Sequence, residues 1–147
     1  MGPYPSKVEL VLDIGGNAPT SCRRGADALV AFMSFTVARG FGSQHPLIAL
    51  ADLAHDTHRV PLGPLTTFYE RATEDAEDEE KLDLAWQPAG PLLESLDALH
   101  ALLRTDPTAG ALAARANACT LAEEIAWLVD ALRPLEDDTP VRLSYVL

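Results

Sequence analysis

From Ala26 to Ala38 the chain reads ADALVAFMSFTVA, and only Asp27, Ser34 and Thr36 in it are polar. Leu29, Val30, Phe32, Met33, Phe35 and Val37 point in every direction around a helix, which leaves no solvated face. A helix that is apolar all round is buried in a protein or in a membrane. This run is shorter than the roughly 20 apolar residues that a bilayer requires. The pattern therefore predicts a central buried helix, capped by Thr20 or Ser21 and stopped by Gly40 and Gly42.

Alternation marks the strands. In Lys7–Ile14, Val8, Leu10, Leu12 and Ile14 alternate with Lys7, Glu9, Val11 and Asp13, the period of a half-buried strand. Val141–Leu147 repeats that pattern at the other end of the chain, and Leu82, Leu84 and Trp86 suggest a third strand within Lys81–Gln87. Helical spacing returns elsewhere. One helix begins at Pro46, a residue suited to the first helical position, and another near Pro64 with Leu65, Phe68, Tyr69 and Ala72. A fourth spans Pro91–Arg104, with Leu92, Leu96, Leu99 and Leu103 in one stripe. A fifth starts at Asp106-Pro107, breaks near Asn117 and resumes as Leu121, Ile125, Leu128, Leu132 and Leu135, with Thr120 and Glu123 spaced as a capping box. The last two stripes predict an antiparallel helical hairpin. The expected fold is α+β and mostly helical: about five helices around the central one, with a small two- or three-stranded sheet that includes both termini. An all-α bundle with extended tails is the alternative.

Composition narrows the function. A length of 147 residues fits one domain, 1–147, with a real core. No signal peptide or membrane span is legible, and two distant cysteines, Cys22 and Cys119, form neither a disulfide framework nor a zinc pattern. A reducing cytoplasm is the expected compartment. The net charge of −11, with few and scattered basic residues, argues against nucleic acid and anionic membrane as partners. A protein with a basic surface fits better, or a second copy of the chain recruited by an open sheet edge.

Three stretches bear on chemistry. GGNAPTSCRRG, between the first strand and the central helix, would place Cys22, Arg23 and Arg24 at a helix N-terminus, where backbone N–H groups bind anions and a thiol pKa falls. No GxxxxGK[ST] or GxGxxG spacing accompanies it. Overlapping its start, LDIGG resembles the first phosphate loop of the actin-like sugar kinases. That family continues into a second strand as a hairpin and needs two domains. Here a proline, a cysteine and a helix are expected to follow, and the chain is too short, so the resemblance is set aside. Asp52, His55, Asp56 and His58 share helical spacings, but His58 turns from the others on the wheel, so an exposed ion-pair face is expected and no metal site. Eight acidic and two basic residues between Glu70 and Asp83 carry −6 of the total −11. Their densest part, Glu74, Asp75, Glu77, Asp78, Glu79 and Glu80, lacks the spacing of a calcium loop and reads as a solvated or mobile segment able to steer a basic partner. His100 reads as a boundary residue, and Trp86 and Trp127 as core or interface anchors.

The expectation is a non-enzymatic acidic interaction domain of regulatory, adaptor or inhibitor type. It would have no cofactor, no metal and no catalytic residue, and would bind through the acidic run and Cys22–Arg24. The alternative is a small enzyme or anion-binding protein built on the Cys22-Arg23-Arg24 loop.

Overall fold

A computed structural model describes residues 8–15, 20–38 and 45–147. The turn at Gly16, Asn17 and Pro19 and the stop at Gly40 and Gly42 lie outside the described residues. The fold is α+β. Strands β1 (Glu9–Ile14) and β2 (Ser21–Arg24) lead into helix α1 (Asp27–Val37) and then α2 (Pro46–Asp52). A π-helical turn (Leu53–Thr57) and a 3-10 turn (Gly63–Thr66) precede β3 (Phe68–Glu70), α3 (Ala76–Asp83) and β4 (Trp86–Pro88). Helices α4 (Ala89–Thr105), α5 (Pro107–Arg115) and α6 (Leu121–Leu132) follow, and β5 (Pro140–Val146) closes the order.

The two alternating segments at the ends pair with each other. β1 and β5 run antiparallel over six residues, from Glu9 opposite Val146 to Ile14 opposite Val141. β2 pairs antiparallel with the other side of β1. β5 is the hub: its far side receives β3 in parallel at Leu143–Tyr145 and β4 antiparallel at Pro140–Arg142. Among the described residues the sheet therefore has five strands, more than the expected two or three, and is mixed, which excludes the all-α alternative.

Directly paired residues share a sheet face. Leu10, Leu12, Val141, Leu143 and Phe68 face the helices and join one core with Leu29, Phe32, Leu50, Leu92, Leu99, Ile125 and Leu128. α1 lies in that core with Phe32, Leu29 and Met33 fully buried. It does keep a wet side: Val37 is 53% exposed and Asp27 and Ser34 are exposed, so the expectation of no solvated face was too strong. Phe35 is half-buried and stacks on His45, with centroids 3.9 Å apart.

Local chemistry explains where the expected elements changed. Thr20 and Ser21 do not cap α1, because Ser21–Arg24 is a strand returning along β1. The N-cap of α1 is Ala26, which has no capping side chain; instead Glu124 of α6 accepts from the Leu29 N–H at 3.0 Å. The same Glu124 accepts from the Thr120 hydroxyl at 2.6 Å, so the expected Thr120–Glu123 capping box does not form. The helix expected at Pro64 is one 3-10 turn, since β-branched and aromatic residues from Thr66 to Tyr69 favour the extended chain that becomes β3. Lys81–Gln87 is not a strand: helix α3 continues through Asp83, and β4 is confined to Trp86–Pro88. Pro46 and Pro107 do start helices, with His45 and Asp106 as N-caps that accept from Leu47 N and Thr108 N.

Candidate functional site

Most of the acidic run is helical and solvated: α3 spans Ala76–Asp83 and follows its cap, Asp75. Asp75 caps α3 by accepting from the Asp78 N–H at 2.9 Å, and Asp78 in turn accepts from the Glu74 N–H at 3.1 Å. Glu77, Asp78 and Glu79 lie in the first turn and Lys81 in the last, the arrangement the helix dipole favours. No residue of α3 is buried. The helix therefore owes its formation to its caps and charges, and it contributes nothing to the core.

Beside α3 the chain exposes several large apolar groups. Leu84 is 72% exposed, and Trp86 and Tyr69, on β4 and β3, are also exposed. Glu70, Tyr69 and Tyr145 of the sheet edge and Asp78 and Lys81 of α3 border one cleft of about 240 Å³. Burial and the neighbouring Glu70 carboxylate push the Tyr145 phenol pKa up.

The outer face of the sheet is organised by a buried carboxylate that sequence reading had assigned to the solvated side of β1. Asp13 accepts from Arg71 at 2.7 Å, from Arg142 Nε at 3.0 Å and from the Thr20 hydroxyl at 3.1 Å. Arg71 also donates to the Ser144 hydroxyl. Burial alone would raise the Asp13 pKa, but the hydrogen bonds from Arg71, Arg142 and Thr20 outweigh it and hold the carboxyl below its ordinary value. The Arg142 guanidinium lies 4.8 Å from the centroid of the Trp86 ring, so the cluster also orients this exposed indole. The cluster ties β1, β5 and the end of β3 together. The apolar Val11, out of place in a polar stripe and buried like Asp13 and Ser144, was the sequence signal that this part of the face is not solvated.

Cys22, Arg23 and Arg24 lie on β2, an edge strand, and not at a helix N-terminus as expected. Their side chains diverge. Cys22 and Arg24 face outward opposite Val11 and Glu9, while Arg23 faces inward opposite Leu10. Arg24 pairs with Glu9 at 3.5 Å, and the Arg23 Nε is buried without a hydrogen-bond partner among the described residues. Cys22 is exposed, yet shielding of its sulfur and the adjacent Glu9 carboxylate push the thiol pKa up. That is the reverse of the activation a helix N-terminus would give. The expected hairpin objection to the sugar-kinase resemblance also falls, since a second strand does follow LDIGG; the match still spans five residues.

The histidines do not gather. His55 pairs with Asp56 at 2.8 Å, and His58 reaches away to Asp106 at 2.9 Å. The backbone N–H of Thr108 and then His58 lower the Asp106 pKa. Among the described residues, no group of three or more His, Cys, Asp or Glu side chains could hold a metal ion, and no helix is long and apolar enough to cross a membrane. No known protein family, characterised protein or solved structure matches the chain.

Proposed function

We propose that this protein is a non-enzymatic interaction domain, of regulatory, adaptor or inhibitor type, that uses α3 to meet a protein partner with a basic surface. One observation carries the reading: α3 is capped and formed, yet buries none of its side chains. Helices in small domains ordinarily gain their stability by burying a face. A helix that turns mostly charged side chains to solvent, with only Asp78 and Leu82 half-buried, beside exposed Leu84, Trp86 and Tyr69, has the polar rim and apolar anchors of a recognition surface. Its charge would speed encounter with a basic patch. The two exposed free thiols, Cys22 and Cys119, fit a reducing cytoplasm, which we propose as its compartment.

The test is capture from a lysate at low salt with the wild-type chain and with Glu77→Gln, Glu79→Gln, Glu80→Gln, which spares the capping pair Asp75 and Asp78. A stoichiometric basic protein retained by the wild type, released by salt and lost by the triple variant supports the reading. Identical retention by both would remove α3 from it. Oligomeric mass measured on the same samples shows whether the partner is a second copy.

A further inference from the structure

The space beneath α3 is not filled the way helix–sheet contacts usually are. The half-buried residues of α3 are Asp78 and Leu82, and Lys81 stands beside them on the cleft. The opposite wall is Tyr69, Glu70 and Ala72, with Tyr145 paired to Glu70 across β3 and β5. Phe68 packs against the Tyr145 ring at 5.8 Å and fixes its position. The Tyr145 phenol, the Glu70 carboxylate and the Lys81 ammonium thus border one small cleft from three separate elements, while the Tyr69 side chain faces the other side of β3 from Glu70.

Those groups are also unused. Among the described residues, the hydroxyls of Tyr69 and Tyr145, the Glu70 carboxylate and Lys81 Nζ have no hydrogen-bond or ion-pair partner, whereas Asp78 is occupied by the Glu74 N–H. Glu70 and Lys81 carry opposite charges on the same cleft and form no ion pair with each other. Among the described residues, the cleft along α4 and α6 holds the Asp97–Arg133 pair at 2.8 Å with His100, Arg104 and Asp130 beside it and no phenol, and the cleft at the start of α4 has acidic groups but no basic one.

We propose that the cleft between α3 and the β3–β5 edge binds a small zwitterion of the α-amino-acid class, its ammonium on Glu70 and its carboxylate on Lys81. A ligand carrying both charges satisfies both side chains at once, while a plain cation meets Lys81 and a plain anion meets Glu70 and Asp78. The Tyr145 phenol supplies a hydrogen bond and an aromatic wall. At about 240 Å³ the cleft is smaller than the roughly 300–1,000 Å³ typical of sites for drug-sized molecules, which suits a single amino acid better than a nucleotide. The bound ligand would bridge α3 to the sheet. This inference is independent of whether α3 also meets a protein partner.

The experiment is NMR titration of the isotope-labelled full chain with each common L-amino acid, and with its N-acetyl and carboxamide derivatives. The expected result is that at least one free amino acid shifts the amides of Tyr69–Ala72, Asp78–Leu82 and Tyr145, and that neither blocked form does. Glu70→Gln and Lys81→Met each should weaken that binding at least about tenfold, the scale of one lost charge-assisted hydrogen bond. Both positions are exposed, so an unchanged thermal midpoint confirms that the variants fold. Absence of shifts up to about 10 mM, a range that covers even millimolar affinities, would overturn the proposal. Equal binding of n-butylamine or of a blocked derivative would overturn the zwitterion assignment, as would full affinity in either variant.

Discussion

Helices α1 and α3 are built on opposite principles. α1 spans 11 residues, begins at an alanine that cannot cap it, and has Leu29, Phe32 and Met33 fully buried. α3 spans 8 residues, is capped by its own Asp75 and buries nothing. Removed from the protein, α1 would keep no reason to be helical beyond its propensities, because its first turn is capped from α6 by Glu124, 95 residues away. α3 carries its cap and its dipole pairing within its own stretch of sequence. The first is stable because the fold exists; the second is available to do something else because the fold does not need it.

That contrast can be broken most severely at Phe32. Phe32→Ala should cost roughly 3–5 kcal/mol through cavity formation, read as a lower denaturant midpoint. Phe35→Ala, at a half-buried position whose ring partner is His45, should cost clearly less. Equal losses at the two positions would mean that α1 is buried evenly and the description of its wet side is wrong.

Glu124 is the second lever. Glu124→Ala leaves the buried Leu29 N–H without an acceptor and should cost about 1–3 kcal/mol. Burial raises the Glu124 pKa despite the hydrogen bonds from Thr120 and Leu29. A raised native pKa means that the native state binds the proton more tightly than the unfolded chain does. The corresponding stability is fully present below the unfolded carboxyl value and is lost as pH rises through the native one. Glu124→Gln, which carries no charge, should therefore flatten the stability profile above the unfolded carboxyl range and cost little near neutrality. Asp13 runs the other way: its lowered pKa contributes stability above the unfolded value that is lost as pH falls through the native one, and Asp13→Asn should remove that acid limb. Parallel profiles for the wild type and both variants would show that neither carboxylate differs between the folded and unfolded chain.

On the α3 side the effects should be smaller and local. Asp75→Ala removes the cap and should cost about 1 kcal/mol, seen as faster amide exchange across Ala76–Asp83 while the midpoint of the core hardly moves. A matching fall in global stability would show that α3 is coupled to the core after all. Smallest of all, the Glu77, Glu79 and Glu80 to Gln triple variant should stay within about 0.5 kcal/mol of the wild type while slowing association with a basic partner.

The sequence by itself determined the elements whose signal is repetitive. Alternation located the two end strands, the leucine stripes located α4 and α6, and Pro46 and Asp106-Pro107 marked two helix starts within their own few residues. Burial of Leu92, Leu96, Leu99, Ile125 and Leu128 follows from the same spacing. Short elements were not legible. β2, β3 and β4 are three or four residues long, too few for a period, and each exists because β1 or β5 offers it a partner. The Leu82–Leu84–Trp86 alternation imitated a strand where the caps and charges of Asp75–Lys81 favour a helix.

Only the tertiary structure decided the functional geometry. Cys22-Arg23-Arg24 became a strand, so the three side chains point to two faces and no anion site assembles at a helix end. Glu124, Asp13, Arg71 and Arg142 lie far apart along the chain and carry no local motif, yet folding places two of them as buried carboxylates and two as the cations that satisfy Asp13. Tyr69, Glu70, Lys81 and Tyr145 meet around one cleft because β3 pairs with β5 and α3 returns over that edge. A local signal records what a segment prefers on its own. Charge pairing and cavities depend on which distant segments are brought within a few ångströms, and that is settled only when the sheet closes.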